Sequence, residues 1–549
     1  MVRKQRSNIR GPFAQVPKQR FRRGLQQVSV PASVTLPAVR QELEEATGRI
    51  RDRVAELAAR DGLDAHQVAA NHLAWAVARA EAADACREWA GVTRDPHAIL
   101  IAEAAEEDAL AFATGHSSDL GALDVERLVT IHSTYHPAED LGATGEHRLL
   151  RSSLRDFAEK VVRPRAQAVH RQDLDVPEEI IHGVADLGLL GLSVPEAYGG
   201  SQSETPDFRA MLIATEELSR TSLVAGSLMT RPEILVRALL RGGSEEQRRA
   251  WLPLIASGEK QVAVAVTEPD HGSDVASITC HARRRPDGEW EISGTKLWCT
   301  FAGRSELLMV LCRSSDAGHR GLSLFVVEKP AFDGHEFSHR QPGGGSLQGR
   351  AIPTIGYRGM HTFELAFDRY QVPRLALVGG EEWLNRGFYL QMEGFAVGRI
   401  QTAARAVGVM QAALEEALKY ARERRVFGLA VADFQLPQAM LGAMIVHVAA
   451  SRQLSYRAAR RLDAGAGQME SSLAKLYASR AAELVTRDAM QIHGAMGYGE
   501  ESDVSRYFVD ARVLPIFEGT EEVLALRVIA RSLLQAAALS RSERESPGC

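Results

Sequence analysis

The chain has 549 residues, enough to bury a sizeable core and to divide into three or four domains. Its 65 basic and 70 acidic residues leave a formal net charge of -5, which excludes a global basic field for nucleic acid. Five scattered cysteines without a CxxC pair exclude a disulfide framework and point to a reducing, cytoplasmic setting, and no apolar run reaches the roughly 18–20 residues that span a bilayer.

The first 41 residues carry nine basic side chains and no acid. They read as a disordered basic tail over 1–37, with an organelle transit peptide as the functional alternative. From Val39 the apolar residues Leu43, Ile50, Val54 and Leu57 recur at helical spacing, and further helices are predicted around 68–89 and 99–112. This Ala-rich extension, 38–145, contains no recognisable chemistry and reads as a packing or assembly element. A second helical region covers 146–260. In it Ser244-Glu-Glu-Gln247 forms a capping box, and the glycines and proline of 187–200 break helix into loop. Over 261–378 the period becomes that of strands, with Pro286-Asp-Gly288 as a turn and Phe363, Leu365 and Phe367 alternating, which predicts a mostly antiparallel sheet. Four long helices follow within 379–540, at about 387–423, 434–462, 471–492 and 521–537, the pattern of an antiparallel bundle before a short tail, 541–549. The expected fold class is therefore mainly α with a central β domain.

The stretch Leu514-Pro-Ile-Phe-Glu-Gly-Thr520 sets a lone carboxylate between bulky apolar residues and a glycine. Withdrawing water from Glu518 beside Ile516 and Phe517 suits it to take a carbon-bound proton. Gly519 lets the backbone approach a ligand, and Thr520 opens an apolar helix with Glu521 and Glu522 in its first turn. Taken alone, the stretch also reads as a turn glutamate at a helix start.

Four other motifs stand with it in order: Val266-Thr-Glu-Pro-Asp-His-Gly-Ser-Asp274, Gly294-Thr-Lys-Leu-Trp-Cys-Thr300, Arg422-Glu-Arg-Arg-Val-Phe-Gly428 and Gln491-Ile-His-Gly-Ala-Met-Gly497. Together they make the chain from about 147 to 534 resemble an acyl-CoA dehydrogenase, a flavoprotein family with this order of helical domain, sheet domain and bundle. The resemblance implies FAD as cofactor. It places Val266, Thr267 and Thr300 at the flavin ring, Trp298 against one of its faces, and Gly272 and Ser273 near the diphosphate and the pantetheine arm of CoA. Arg424 matches an arginine that reaches the FAD of a neighbouring subunit, and Phe427, Gln435, Gln491, Gly494, Ala495, Thr520 and Glu522 match other cofactor positions. Without the resemblance, Trp298 reads as a core residue and Arg424 as a solvated charge at a helix end. Two departures stand out: Val426 where the family usually has Thr or Gln, and Ala396, three residues before Arg399, where several members carry an acid. Glu518 matches the family's base. The resemblance implies that it takes the α-proton as the β-hydride passes to flavin, with the Glu518 N–H and a flavin hydroxyl stabilising the enolate oxygen.

Within the family, the helical extension, Gly226-Ser-Leu-Met-Thr-Arg-Pro-Glu-Ile234, Ile355-Gly-Tyr-Arg-Gly-Met360, Arg399-Ile-Gln-Thr-Ala-Ala-Arg405 and Phe517 resemble the subgroup that converts (2S)-methylsuccinyl-CoA to mesaconyl-CoA. Such a substrate ends in a carboxylate, which needs a cation or several donors when buried. Thr230 and Arg231 are expected there, with Ser273, Arg399 and Gly519 as further substrate contacts. A structural ion pair between Arg231 and Glu233 is the competing reading, and Arg358 is a second candidate for the carboxylate. The alternatives in substrate are butyryl-, isobutyryl- or 2-methylacyl-CoA, or glutaryl-CoA with decarboxylation. A non-catalytic member that binds DNA or a protein would be expected to lack the base or to carry a basic C-terminal domain. Electron-transfer flavoprotein and a homodimer or homotetramer are the implied partners. No nucleic acid, membrane or metal is expected, since the 17 histidines show no metal spacing.

Overall fold

The computed structural model describes residues 36–115, 125–134, 144–203 and 205–545. The expected basic tail lies outside the described residues apart from its last two, which begin the first helix.

Four helices form the extension: α1 (Leu36–Asp61), α2 (Gln67–Thr93), α3 (Pro96–Ala113) and α4 (Val125–Thr134). Helices α5 (Gly145–Phe157), α6 (Arg163–Gln172), α7 (Glu178–Asp186), α8 (Phe208–Thr221), α9 (Thr230–Gly242) and α10 (Glu245–Ala256) follow. The predicted box at the start of α10 is present, with Ser244 Oγ accepting from Gln247 N–H and the Gln247 amide oxygen accepting from Ser244 N–H.

The sheet comprises β1 (Val262–Ala265), β2 (His281–Arg284), β3 (Trp290–Thr300), β4 (Leu307–Arg313), β5 (Leu322–Glu328), β6 (Glu336–Arg340), β7 (Ser346–Ala351) and β8 (Thr362–Val372). Strands run in the order β1-β4-β2-β3-β8-β7-β6, with β5 also on β4. All pairs are antiparallel except β1 and β2 on β4. The two-residue period of β4 splits its side chains: Leu308, Val310 and Cys312 enter one apolar cluster, whereas Leu307, Met309 and Leu311 pack with Trp251, Leu252 and Ile255 of α10. That sandwiching explains why β4 is apolar throughout.

The C-terminal part holds α11 (Gly380–Trp383), α12 (Gly387–Glu423), a hairpin of β9 (Arg425–Val426) and β10 (Leu429–Ala430), α13 (Gln435–Asp463), α14 (Gln468–His493), α15 (Ala495–Tyr498), α16 (Asp503–Ala511), α17 (Glu521–Val523) and α18 (Arg531–Glu545). The fourth bundle helix differs from expectation: it passes through a π-helical stretch, Leu524–Ala530, between α17 and α18, and continues to Glu545.

The extension covers the bundle. Helices α2 and α4 lie on α13, and α2 also meets α14 and the π-helical stretch. Alanines 70, 74, 78, 82 and 85 of α2 are buried, which allows close helix approach. Ion pairs Arg457–Glu81 at 2.8 Å and Arg460–Glu88 at 2.9 Å tie it to α13.

Candidate active site

Glu518 lies in the loop between α16 and α17 with φ 57°, and Gly519 follows at φ 92°. A left-handed glutamate is unusual and is held here by its surroundings. Phe517 N–H donates to Val513 O at 3.1 Å, Glu521 N–H to Pro515 O at 3.2 Å, and Thr520 caps α17 through its hydroxyl. The buried Lys475 of α14 donates its ammonium to Gly519 O at 2.7 Å. No hydrogen bond among the described residues uses the Glu518 N–H.

The carboxylate of Glu518 faces α12. Gly398 makes room for it, since a Cβ there would stand 2.7 Å from Oε2, and Oε2 is buried without a hydrogen-bond partner. Ile516, expected as a wall, is half exposed. The apolar side is supplied by Phe517, which packs edge-on against Tyr357 at 5.8 Å between centroids.

Cations crowd the same place. The fully buried Arg405 holds its guanidinium 4.7 Å from the centre of the Phe517 ring and donates to Ser227 Oγ at 3.0 Å and Thr402 Oγ1 at 2.7 Å. Arg231 donates to Tyr357 Oη at 2.6 Å and to Ser227 O at 2.8 Å. Neither forms a carboxylate pair among the described residues. The expected alternative for Arg231 is overturned, because Glu233 pairs with Arg237 at 2.6 Å one helical turn further along. Burial lowers the pKa of Arg405, with Tyr357 and Glu518 opposing and Arg231 adding to the shift. Burial likewise lowers that of Arg399, against the nearby Glu518. Arg358 is turned away, its guanidinium on the carbonyls of Thr354 and His170.

Sequence reasoning missed Lys475, Arg405 as a site residue, Gly398 and Gln391. Residues 391, 398, 402 and 405 are spaced by seven, four and three, so they share one face of α12. Both amide atoms of the fully buried Gln391 and the hydroxyl of Thr230 lack hydrogen-bond partners.

The expected flavin residues fall into two groups. Trp298 sits in a register shift of β3 at φ 61° and is 53% exposed, not a core residue. Thr300 bonds Thr362 through their hydroxyls at 2.9 Å, and Thr267 O accepts from Leu297 N–H. Gly272 and Ser273 are exposed on the loop after β1, near whose start Glu268 is buried. That carboxylate bonds Lys296 at 2.8 Å and the N–H groups of Thr279 and Cys280. Burial would raise its pKa, but Lys296 and these donors outweigh burial and hold it low.

The second group surrounds the end of α12. Arg424 caps that helix by bonding Tyr420 O, and Tyr420 stacks on His493 at 4.3 Å, which brings the Gln491-to-Ala495 turn beside it. Phe427 and Gln435 belong to the neighbouring hairpin and the start of α13. No hydrogen bond, ion pair or ring contact among the described residues joins this group to Thr267, Trp298 or Thr300. Val266 is buried at the end of β1, and Glu522 is exposed in α17.

Three family models match in sequence: the acyl-CoA dehydrogenase N-terminal domain over 144–259, the middle domain over 263–370 and the C-terminal domain over 385–534. The chain belongs to the acyl-CoA dehydrogenase family. It is thus an oxidoreductase acting on CH–CH bonds, in a family of FAD-dependent flavoproteins. A (2S)-methylsuccinyl-CoA dehydrogenase of Cereibacter sphaeroides is 35% identical over 546 residues, which covers 92% of this chain and 97% of that protein. Butyryl-CoA dehydrogenase of Megasphaera elsdenii superposes with a TM-score of 0.66 at 28% identity, covering 73% of this dehydrogenase and all of that chain. A glutaryl-CoA dehydrogenase in complex with glutaryl-CoA gives 0.65 at 30% identity, with 73% and 97% covered. Among the described residues no helix is long and apolar enough to cross a membrane.

Proposed function

We propose that this acyl-CoA dehydrogenase binds FAD and oxidises (2S)-methylsuccinyl-CoA to mesaconyl-CoA. The observation that carries the substrate is the pair of buried guanidiniums, Arg231 and Arg405, joined through Tyr357 and Ser227 beside Phe517, with no carboxylate bonded to either among the described residues. Buried cations without a bonded counter-ion are costly, and a substrate carboxylate would supply one. The unpartnered Thr230 hydroxyl offers that carboxylate a further donor. An all-apolar acyl pocket would have no use for these groups. The relative that matches this chain through its extension is named for the same substrate.

In the proposed reaction Glu518 takes the α-proton through its unpartnered Oε2, and its free N–H, turned by the positive φ, is the backbone donor for the developing enolate oxygen. The acceptor for the β-hydride would be supplied by bound FAD. The residues present suit it: the exposed face of Trp298, the hydroxyls of Thr267 and Thr300, and the open loop at Gly272 and Ser273 form one side. Arg424, Phe427, Gln435, Gln491, Gly494 and Ala495 form a second side suited to the cofactor of a neighbouring subunit, which calls for at least a homodimer. Electron-transfer flavoprotein would then take the electrons, in a cytoplasmic enzyme. Glutaryl-CoA is the second reading, because it too ends in a carboxylate.

Anaerobic bleaching of the yellow protein tests this directly, with methylsuccinyl-, glutaryl-, butyryl- and isobutyryl-CoA compared. Bleaching by methylsuccinyl-CoA that Arg231→Met abolishes is the expected result. Bleaching by butyryl-CoA in preference, or an Arg231→Met enzyme with unchanged preference, overturns the carboxylate pocket.

A further inference from the structure

Away from Glu518, three potential metal ligands converge where the end of α6 meets the sheet. Asp173 caps α6, His335 directly precedes β6, and His361 directly precedes β8; their ligand atoms all lie within 4.8 Å of one another. The two imidazole Nε2 atoms are 2.8 Å apart, and Asp173 carboxylate oxygens stand 3.5 Å from His361 Nε2 and 3.6 Å from His335 Nε2.

The surroundings orient one ring. His361 Nδ1 donates to Asp175 Oδ1 at 2.9 Å, and the other oxygen of Asp175 is held by Gly334 N–H at 3.2 Å. A carboxylate on Nδ1–H leaves the lone pair on Nε2 and raises its basicity, which is the outer-shell arrangement that metal-bound histidines use. That lone pair faces another imidazole nitrogen, the Asp173 carboxylate and, at 3.2 Å, the Asp173 carbonyl oxygen. Nitrogens and oxygens this close need a proton or a metal ion among them. Arg358 pairs with Asp173 at the long distance of 3.8 Å, and the same Nε donates to Thr354 O.

We propose that Asp173, His335 and His361 bind a divalent transition-metal ion, Zn2+ being the ion that suits two imidazoles and one carboxylate with a position left for water. Mg2+ and Ca2+ are poor fits, since they prefer oxygen ligands. Two nitrogens on a tetrahedral zinc lie about 3.3 Å apart, so the rings must separate slightly from 2.8 Å. His335 is the exposed ring of the two, whereas His361 is buried and held through Nδ1 by Asp175. The bound ion would clamp the helical domain to the sheet domain. It would also steady the 355–362 loop, in which Tyr357 holds Arg231 and Thr362 holds Thr300.

The test uses the full-length, flavin-loaded protein after treatment with EDTA and dialysis, titrated with zinc chloride by calorimetry and followed by thermal denaturation. One Zn2+ per chain is expected, with micromolar or tighter affinity and a melting temperature that rises until one equivalent is bound. His335→Ala removes an exposed ligand and is expected to weaken binding at least tenfold and to abolish the thermal shift. Asp175→Asn should cost about 10- to 100-fold as a residue acting through His361. His182→Ala, an exposed histidine on α7, should change nothing. Absence of binding below millimolar Zn2+, or stoichiometric binding that His335→Ala leaves intact, overturns the proposal. The first result would mean that the two imidazoles share a proton, and the second that zinc sits elsewhere.

Discussion

Lys475 Nζ donates to the carbonyl oxygen of Gly519 at 2.7 Å from a position closed to solvent. Burial pulls its pKa down to about 7, against Glu521 and Glu518, from the ordinary lysine value of 10.5 that the unfolded chain retains. Between pH 7 and about pH 10 the unfolded state therefore binds more protons, and stability rises with pH; below pH 7 both states are protonated and the slope vanishes. A Lys475→Met variant lacks this contribution. The stability of the wild type relative to the variant is expected to rise between pH 7 and pH 9, by up to about 1.4 kcal/mol per pH unit. Melting curves at several pH values check it, and a constant difference would remove Lys475 from the account.

Gly398→Ala separates the proposed base from the stability of its helix. Alanine is favoured over glycine in a helix by about 1 kcal/mol, so α12 should not suffer. The new Cβ would nevertheless meet Glu518 Oε2 at 2.7 Å and displace the carboxylate. We expect an unchanged or higher Tm with kcat reduced about 10- to 100-fold, the scale of a 1 Å misplacement. An enzyme of normal kcat would show that the carboxylate works from another position.

Arg405→Met tests whether the buried charge serves the substrate or the fold. The hydroxyls that bind this guanidinium keep other partners, Ser227 donating to Leu223 O and Thr402 to Gly398 O, so the substitution strands neither. Removing a buried charge without a bonded counter-ion is expected to stabilise the substrate-free protein by about 1 kcal/mol or more. The same change should lower kcat/KM for methylsuccinyl-CoA by about 30-fold or more, the scale on which loss of a buried charge partner weakens binding. Loss of stability together with full activity would make Arg405 a structural residue.

How much of this was legible in the sequence depends on how each residue announces itself. The alternation of Phe363, Leu365 and Phe367 and the long apolar periods of α12, α13 and α14 mark elements whose burial is one-sided enough to leave a pattern. Glu518 is legible because a lone acid beside Phe517 and Gly519 breaks its surroundings. Lys475 is not: α14 is buried nearly all round there, so a lysine between Ala474 and Leu476 reads as a chain that snorkels to water. Its one available signal is the unbroken apolar and small run on both sides. Arg405 is hidden likewise, and its partners Ser227 and Tyr357 are 178 and 48 residues away in the chain, a convergence that only the fold reveals. The cluster of Asp173, His335 and His361 escapes for the same reason, since motif spacing detects only ligands close in sequence.

Phe427 gives the last prediction. It occupies the tip of the β9–β10 hairpin at φ 51° before Gly428 at φ 86°, and its side chain is 97% exposed in the single chain. A bulky residue at positive φ is unfavourable, and so is an aromatic ring left in water; both point to a requirement outside the chain itself. Leu429 and Leu436, also exposed, extend the same apolar surface. Burial of this surface by a second subunit, with Arg424 at its base, would complete the cofactor site. Phe427→Ser should leave the far-ultraviolet circular dichroism unchanged, because the ring packs on little within its own chain. We expect it to shift the protein to a smaller species in analytical ultracentrifugation and to lower the flavin content per chain by at least half. A variant that keeps both its size and its flavin would place the subunit contact elsewhere and leave the hairpin without a role in cofactor retention.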